Sequence, residues 1–480
     1  MQKIAQEAML ATSHFLLDAA GITKIHETSL RILESTGIQV ELPTALDLFR
    51  QAGARIDNNV VKLTAAQVDK ALASAPSAIF LAGNDNKHHM LLEGTKAFTG
   101  TGGAALNVLD LESGQSRQAT LKDVYDIARL VDRLDNIDFY VRPVVAQDIP
   151  IEHLDINKYY ASLAGTGKHV MASAYSVESA KQIIEMATLI SGSFENLCEK
   201  PIISFITACC DSPLCLNSKS TDILTELVRQ NIPVVIGSAP MAGTTSPVTL
   251  AGTLAQMNAE LLSGIVYSQL VNPGAPVIYG AVPSTADMHT GGFSGGAVEY
   301  GMLNSAAAQM AQFYRIPVYN SAGVTDSLTP DIQAGYEKAF SLLQAVNSGA
   351  NLIHHAAGML DSLKTVAYEQ YVIDNDIIAM ARRANKGIVV DEERLALPII
   401  EKVSHGGSYL TEKHTKRYMR KEYSFPRLAD RKRPSGKNGE LIDARERARH
   451  IARDLLRQES LSPISPDIDR EIRKRFTILI

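Results

Sequence analysis

Between residues 276 and 361 the sequence repeats one pattern three times. Each repeat opens with a short apolar run (PVIYGAVP, then PVYNSAG, then LIHHAAGML) that ends in small or polar residues. A loop rich in Gly, Ser, Thr and Asp follows, and then a segment of helical periodicity; for the third run the helix lies just beyond residue 361. Short apolar runs alternating with helices specify parallel strands joined by crossover helices, because a strand with no polar side must be buried on both faces. In such sheets the chemistry collects where strands end and loops begin. Tyr279, Asn320, Asp326, His354 and His355 are therefore expected at one face of the molecule.

The same unit extends backwards along the chain. FTGTGG, DFYVRPVV, KHVMASAY, PIISFITACC and PVVIGSAP precede the three runs and bring the strand–helix units to eight. Pro201, Pro233, Pro276 and Pro317 stand at first strand positions, where the missing N–H costs the ladder least. Thr120 and Ser176 precede helical segments as N-caps. Eight units of this kind match a closed (β/α)8 TIM barrel, an α/β fold, better than an open doubly wound sheet.

The barrel is expected over residues 98–384. Residues 1–97 read as an N-terminal helical and mixed extension that opens on an amphipathic helix. In it HETSLRILESTG closes at Gly37, PTALDLFRQAGA closes at Gly53, and Thr64 caps a later helix. Residues 385–480 read as a C-terminal helical extension packed on the barrel. GIVVDEERLALPIIEKVS looks helical there, residues 405–423 look polar and irregular, and DARERARHIARDLLRQE is a helix whose charges face solvent.

Composition narrows the function classes. A net charge of −5 gives no broad case for nucleic acid, although the last seventy residues are locally basic. Cys198, Cys209, Cys210 and Cys215 fall in one short stretch, which is no disulfide framework, and reduced thiols of a cytoplasmic protein are expected. No window has the roughly 18 uninterrupted apolar residues of a membrane span, and no signal peptide is read.

The strand ends offer no nucleophile elbow, no HExxH and no paired-carboxylate spacing. Gly100 and Gly102 in TGTGG lack the longer dinucleotide fingerprint and suit a tight turn or a close ligand approach. Gly291, Gly292, Gly295 and Gly296 flank Phe293 in a loop that reads as a lid or as simple linker. Side-chain alternation sends His354 and His355 to opposite sides of their strand, and separates Cys209 from Cys210 in the same way. A zinc site from these cysteines with His354 lacks the spacing of any metal motif, and no metal is expected. Glu299, in the first turn of its helix, is either a carboxylate at the mouth or a favourable charge at a helix N-terminus. Tyr279, Tyr175 and Phe293 are candidates for a cavity that accepts a cation, or for ordinary core and rim.

Two long motifs, GAVEYGMLNSAAAQMAQFYRIPVYNSAGVTDSLTPDIQAGYEKAF and HGGSYLTEKHTKRYMRKEYSFP, resemble the trimethylamine methyltransferase superfamily. HETSLRILESTGIQV and FTGTGG are similar to it as well, so the resemblance runs from about residue 22 to residue 430. It implies a (β/α)8 enzyme that moves a methyl group from an amine to the cobalt of a corrinoid (cobalamin) carried by a separate, cognate corrinoid protein. Only standard residues are present, which places the likeness with the branch that lacks pyrrolysine and acts on quaternary amines.

That chemistry accounts for the plain strand ends. Reduced cobalt is itself the nucleophile, and a quaternary ammonium leaves as a neutral amine without a general acid. What the resemblance then asks of this chain is orientation, exclusion of water and favourable surroundings for a cation. Glu299, His354 and Asp326 are the catalytic candidates. Tyr279, Tyr175, Phe293, Asn320, His355, Tyr409 and His414 are substrate candidates, together with Arg142 for a carboxylate. Gly100, Gly102, Gly295 and Gly296 are the candidates for contact with the cofactor. His405–Tyr423, with Tyr409 and His414, is expected beside the barrel mouth. Glycine betaine is the first expected substrate, with proline betaine or carnitine next; a homo-oligomer is left open. The contrasting classes are a metal-assisted barrel lyase or hydrolase and a non-catalytic betaine-binding protein.

Overall fold

The computed structural model describes residues 9–10, 16–85, 87–431, 442–459 and 462–480. Eight parallel strands alternate with eight principal helices. In chain order they are β1 (Lys96–Thr99), α1 (Leu121–Asp132), β2 (Phe139–Val141), α2 (Ile151–Gly165), β3 (His169–Ala172), α3 (Val177–Ser191), β4 (Ile203–Asp211) and α4 (Ser218–Arg229). Then come β5 (Val234–Ser238), α5 (Leu250–Val271), β6 (Val277–Ala281), α6 (Val298–Tyr314), β7 (Val318–Ser321), α7 (Ile332–Asn347), β8 (Leu352–His354) and α8 (Tyr368–Asn385).

The sheet closes. Each strand from β2 to β8 pairs in parallel with the next, β8 pairs with β1 at Leu352–Phe98, and a parallel bridge from Gly100 to Phe139 joins β1 to β2. The barrel expected from eight apolar runs is the fold observed.

Register decides which residues point inward. Val141 is paired with Met171, Ile206 with Val235, Gly237 with Gly280, Gly280 with Tyr319, and Ser321 with His354. Paired residues share a face, so these line the inside. Phe98, Phe139, Met171, Val235, Ile278 and Leu352 fill the barrel in one apolar cluster. Four more members of that cluster, Ile79, Leu81, Met90 and Leu92, come from the hairpin of Ala78–Leu81 with Met90–Glu93. This hairpin plugs the end from which the strands start, each large side chain contributing about 2 kcal/mol by burial. The opposite end stays open because its inner wall is small: Gly237 and Gly280 lie side by side and Ala208 is exposed.

The expected caps form. Thr120 makes a capping box with Asp123, Thr64 makes one with Gln67, and Ser176 caps α3. Gly37 and Gly53 end their helices with positive φ of 79° and 76°. The amphipathic helix expected at the extreme N-terminus falls mostly outside the described residues; Met9–Leu10 pairs antiparallel with the start of β1.

Two C-terminal expectations change. Residues 405–423 are not wholly irregular, since Lys413–Glu422 is a helix, and GIVVDEERLALPIIEKVS forms only two short helices, Glu392–Leu395 and Leu397–Val403. DARERARHIARDLLRQE keeps Asp443, Asp454 and Arg457 in solvent, as expected, but turns three arginines to the barrel. From the helix Ala444–Arg457, Arg445 pairs with Glu369, Arg453 with Glu112, and Arg449 donates to the carbonyls of Leu111 and Glu112. Three arginines of this helix are thus matched to acids and carbonyls of the barrel. Among the described residues no helix is long and apolar enough to cross a membrane.

Candidate active site

Two histidines close the top of the inner wall. His354 faces inward, and its ring stacks on that of Tyr319 with centroids 4.0 Å apart and planes 15° apart. The carbonyl of Asn320 lies 2.7 Å from its Nδ1. A carbonyl only accepts, so Nδ1 carries the proton and Nε2 keeps its lone pair. Burial drives the His354 pKa down to about 3 and that of His355 well below the usual value. Both rings are neutral near pH 7.

Strand alternation does not separate this pair. Their ring centroids are 3.8 Å apart, because β8 ends at His354 and His355 takes a left-handed φ of 62° that swings its ring back to the same side. His355 Nδ1 lies 2.8 Å from Ser321 Oγ, which accepts in turn from the hydroxyl of Tyr300 in the first turn of α6. Tyr300 stands edge-on to Phe293 at 5.8 Å. A buried polar chain thus links the histidines to the glycine-rich loop. Cys209 and Cys210 are likewise not divided: a bulge between Thr207 and Cys210 brings their sulfurs within 3.8 Å of each other.

That loop is tied down by Asp326. Its carboxylate accepts from Gly295 N at 2.8 Å, Ser294 Oγ at 2.8 Å and Ser362 Oγ at 2.6 Å. Asp326 therefore positions the loop; its oxygens are engaged with the chain. The four glycines expected to admit a cofactor make room for neighbouring parts of the chain. A side chain at Gly100 would meet the Phe139 ring, at Gly102 the two histidine rings, at Gly295 Val324, and at Gly296 the Glu337 carboxylate.

Beside the mouth, at the ends of β2 and β3, lies a cavity of about 250 Å³ lined by Arg142, Asp155, Lys158, Ser173 and Tyr175 among others. Asp155 and Lys158 form a buried ion pair, and Asp155 also accepts from the backbone N–H of Tyr175 at 2.6 Å. Burial holds the Lys158 pKa down to about 8 against the pull of Asp155. Arg142 is left over. Its Nε is buried without a partner, the guanidinium's one hydrogen bond among the described residues is a 3.4 Å contact to the carbonyl of Val144, and burial pulls its pKa below the ordinary arginine range despite the charge of Asp155 nearby. Among the described residues it has no carboxylate within ion-pair distance. Buried guanidinium groups are normally paired.

Other sequence candidates fall elsewhere. Ile278 and Gly280 point inward, so Tyr279 points out, and its hydroxyl donates to Asn258 Oδ1 on α5 at 2.8 Å. Asn320 also faces outward and donates to the carbonyl of Asn304 on α6. Tyr175 lines the cavity rim, but Lys219 Nζ already sits 2.9 Å from its ring centroid. Glu299 is exposed in the first turn of α6.

His405–Tyr423 is at the wrong end for a mouth segment. Arg383, in the last turn of α8, donates to the carbonyl of Glu422, while its neighbour Arg382 pairs with Asp138 just before β2. Those anchors lie at the strand starts, so Tyr409 and His414 lie there too. His414 Nε2 contacts the carbonyl of Glu393 at 3.0 Å, and Tyr409 is exposed. The aromatic residue that sequence reading missed is Tyr319. Its signal was the two-residue spacing to Ser321, opposite His354.

A closed parallel barrel with a cavity at its strand ends, largely apolar but carrying Arg142, Asp155 and Lys158, is the framework of an enzyme. The model of the trimethylamine methyltransferase (MTTB) family matches residues 4–478. This chain belongs to that family and is a methyltransferase. It is 33% identical to the glycine betaine methyltransferase of Desulfitobacterium hafniense over 97% of both chains. It is 37% identical to a trimethylamine methyltransferase of Methanosarcina barkeri over 94% of this chain and 92% of the relative. Among solved structures, the monomethylamine methyltransferase of Methanosarcina barkeri aligns with a TM-score of 0.47 and 11% identity over 91% of each chain.

Proposed function

We propose that this methyltransferase takes a methyl group from a small quaternary amine that also bears a carboxylate, glycine betaine first, and passes it to a reduced corrinoid on a separate protein. The observation that carries the reading is the unpaired Arg142 guanidinium at a small cavity beside the barrel mouth. A carboxylate is the group it lacks. The relative that acts on glycine betaine and those that act on trimethylamine support a methylated amine as donor.

The chemistry balances without an acid. The N–CH3 bond breaks, its electron pair stays on nitrogen, and the product is dimethylglycine with a neutral amine and its carboxylate still ionised. The corrinoid supplies the electron pair that the methyl group receives. Neutral histidines suit this, because they add no positive charge next to the ammonium and donate no proton to the departing nitrogen. The inward Tyr319 and the His354 ring stacked on it form an aromatic pair at the top of the inner wall, the kind of surface a cation favours. A bulky, planar acceptor presented from above fits a rim kept low by Ala208, Gly237 and Gly280.

The test offers glycine betaine and dimethylglycine side by side with reduced cobalamin at neutral pH, following the visible absorbance of the acceptor. Methylation from glycine betaine alone is expected. Comparable methylation from dimethylglycine would show a proton source at this site and overturn the reading.

A further inference from the structure

Helix α7 carries an apolar stripe along its outer face. Ile332, Tyr336, Phe340 and Leu343 are spaced by four, four and three residues and are 86%, 60%, 47% and 37% exposed. That spacing places them on one side of a helix. The helix has only two charged residues, and both are spent inside the fold. Lys338 is buried against Asp374 and the carbonyl of Met359, and Glu337 accepts from Thr325 Oγ and the N–H of Asp326. The outer face is thus without a free charge over its whole length. Gly335 adds a second sign. A side chain there would meet nothing within 4 Å, so nothing in this chain requires a helix-weakening glycine at that position.

The uncovered surface continues beyond the helix. Asn385 at the end of α8 contacts Asn347 at the end of α7 at 3.5 Å, and the segment that follows exposes Ile388, Val390 and Leu397. Neither short helix in that segment buries a residue. Stripe and segment together expose more than roughly 800 Å² of apolar surface, the share that one partner gives to a standard interface.

We infer that α7 is the centre of a two-fold interface between two copies of this chain. Position argues against the methyl acceptor as occupant, because the surface starts at Ile332 near the mouth but runs on to the strand-start end, beyond what a partner seated over the mouth covers. A carrier that must come and go also leaves the stripe in water between visits, whereas a second copy covers it permanently. Neutrality argues for self-association. In a two-fold contact the face meets itself, so any free charge would oppose its like, and a small residue at Gly335 lets the paired helices approach closely.

The test is the mass of the full chain in solution by light scattering during gel filtration, at micromolar concentration. Wild type is expected at twice the chain mass of 52.0 kDa. Tyr336→Glu combined with Phe340→Glu should halve that mass while the far-ultraviolet circular dichroism stays native. Val248→Glu, at an exposed apolar residue on the loop leading into α5, should leave the dimer intact. A monomeric wild type, or an assembly that survives both glutamates, overturns the assignment. If the double variant loses its native spectrum, Gly335→Gln, bulky but uncharged, takes its place and must weaken dimerisation at least tenfold for the assignment to stand.

Discussion

Replacing Arg142 with Gln separates a binding role from a structural one. The guanidinium makes one marginal protein contact, at 3.4 Å, and has a buried nitrogen with no partner. Removing it breaks almost nothing, and Asp155 keeps both Lys158 and the Tyr175 N–H. Burial disfavours its charge in the folded state, and at neutral pH the group is charged both folded and unfolded, so that penalty is fully present in the wild type. The Tm of Arg142→Gln should therefore stay level or rise. Loss of a carboxylate ligand goes the other way. A charge-assisted hydrogen bond contributes about 1.5–3 kcal/mol, which corresponds to a KM for glycine betaine raised about 10- to 150-fold. The kcat should change far less, since the carboxylate lies away from the reacting N–CH3 bond. Tetramethylammonium, a quaternary amine with no carboxylate, is the control, and its KM should not move. Steady-state kinetics on both amines and a thermal melt decide the matter. Equal losses on both substrates, or a Tm lowered by several degrees, would show that Arg142 holds the fold instead of a ligand.

Acid should destabilise the barrel from the inside. Burial puts the folded pKa of His169 at about 4 and that of His354 at about 3, with His355 also well below 6.5. Below 6.5 the unfolded chain binds protons that the native one refuses, so stability is full above that pH and falls by about 1.4 kcal/mol per pH unit for each histidine as pH drops; a Tm that is flat between about pH 7 and pH 4.5 refutes this. Asp326→Asn should free the glycine-rich loop by weakening three hydrogen bonds, for a local loss of about 1–3 kcal/mol. Faster hydrogen exchange at the Gly295 amide and a lower kcat/KM are expected, and unchanged exchange would remove the positioning role.

The fold was readable because its signal is repetition. Eight apolar runs, prolines at strand starts and caps at Thr120 and Ser176 agree with one another, and no single run had to be interpreted alone. The site was harder because alternation has a phase as well as a period. In VIYGA every residue is apolar or small, so nothing in the string says whether Ile278 or Tyr279 faces the axis. Both faces of a barrel strand are buried, and the usual polar marker is absent. Tyr279 and Asn320 were lost on that point, and Tyr319 was missed with them. His355 fails for a different reason: its positive φ is set by where β8 stops, not by its own residue type. The placement of Tyr409 and His414 depends on which end of α8 the chain leaves from, and the Arg383–Glu422 contact that fixes it is long-range.

These departures share a physical cause. At the strand starts charges find partners within the chain: Arg382 with Asp138, Arg427 with Asp135, and Lys168 with the carbonyls of Val131 and Leu134. Sequence-level rules hold best where such local satisfaction decides the structure. At the mouth the chain leaves a guanidinium unpaired and presses two histidines together as neutral rings. A half-buried cation with no ion pair is unfavourable by itself and persists because the closed, plugged barrel beneath it supplies stability independently. On the function proposed above, the missing partner comes from outside the chain. A ligand that supplies it binds the folded state alone, and the favourable pairing it makes offsets a cost that folding has already incurred.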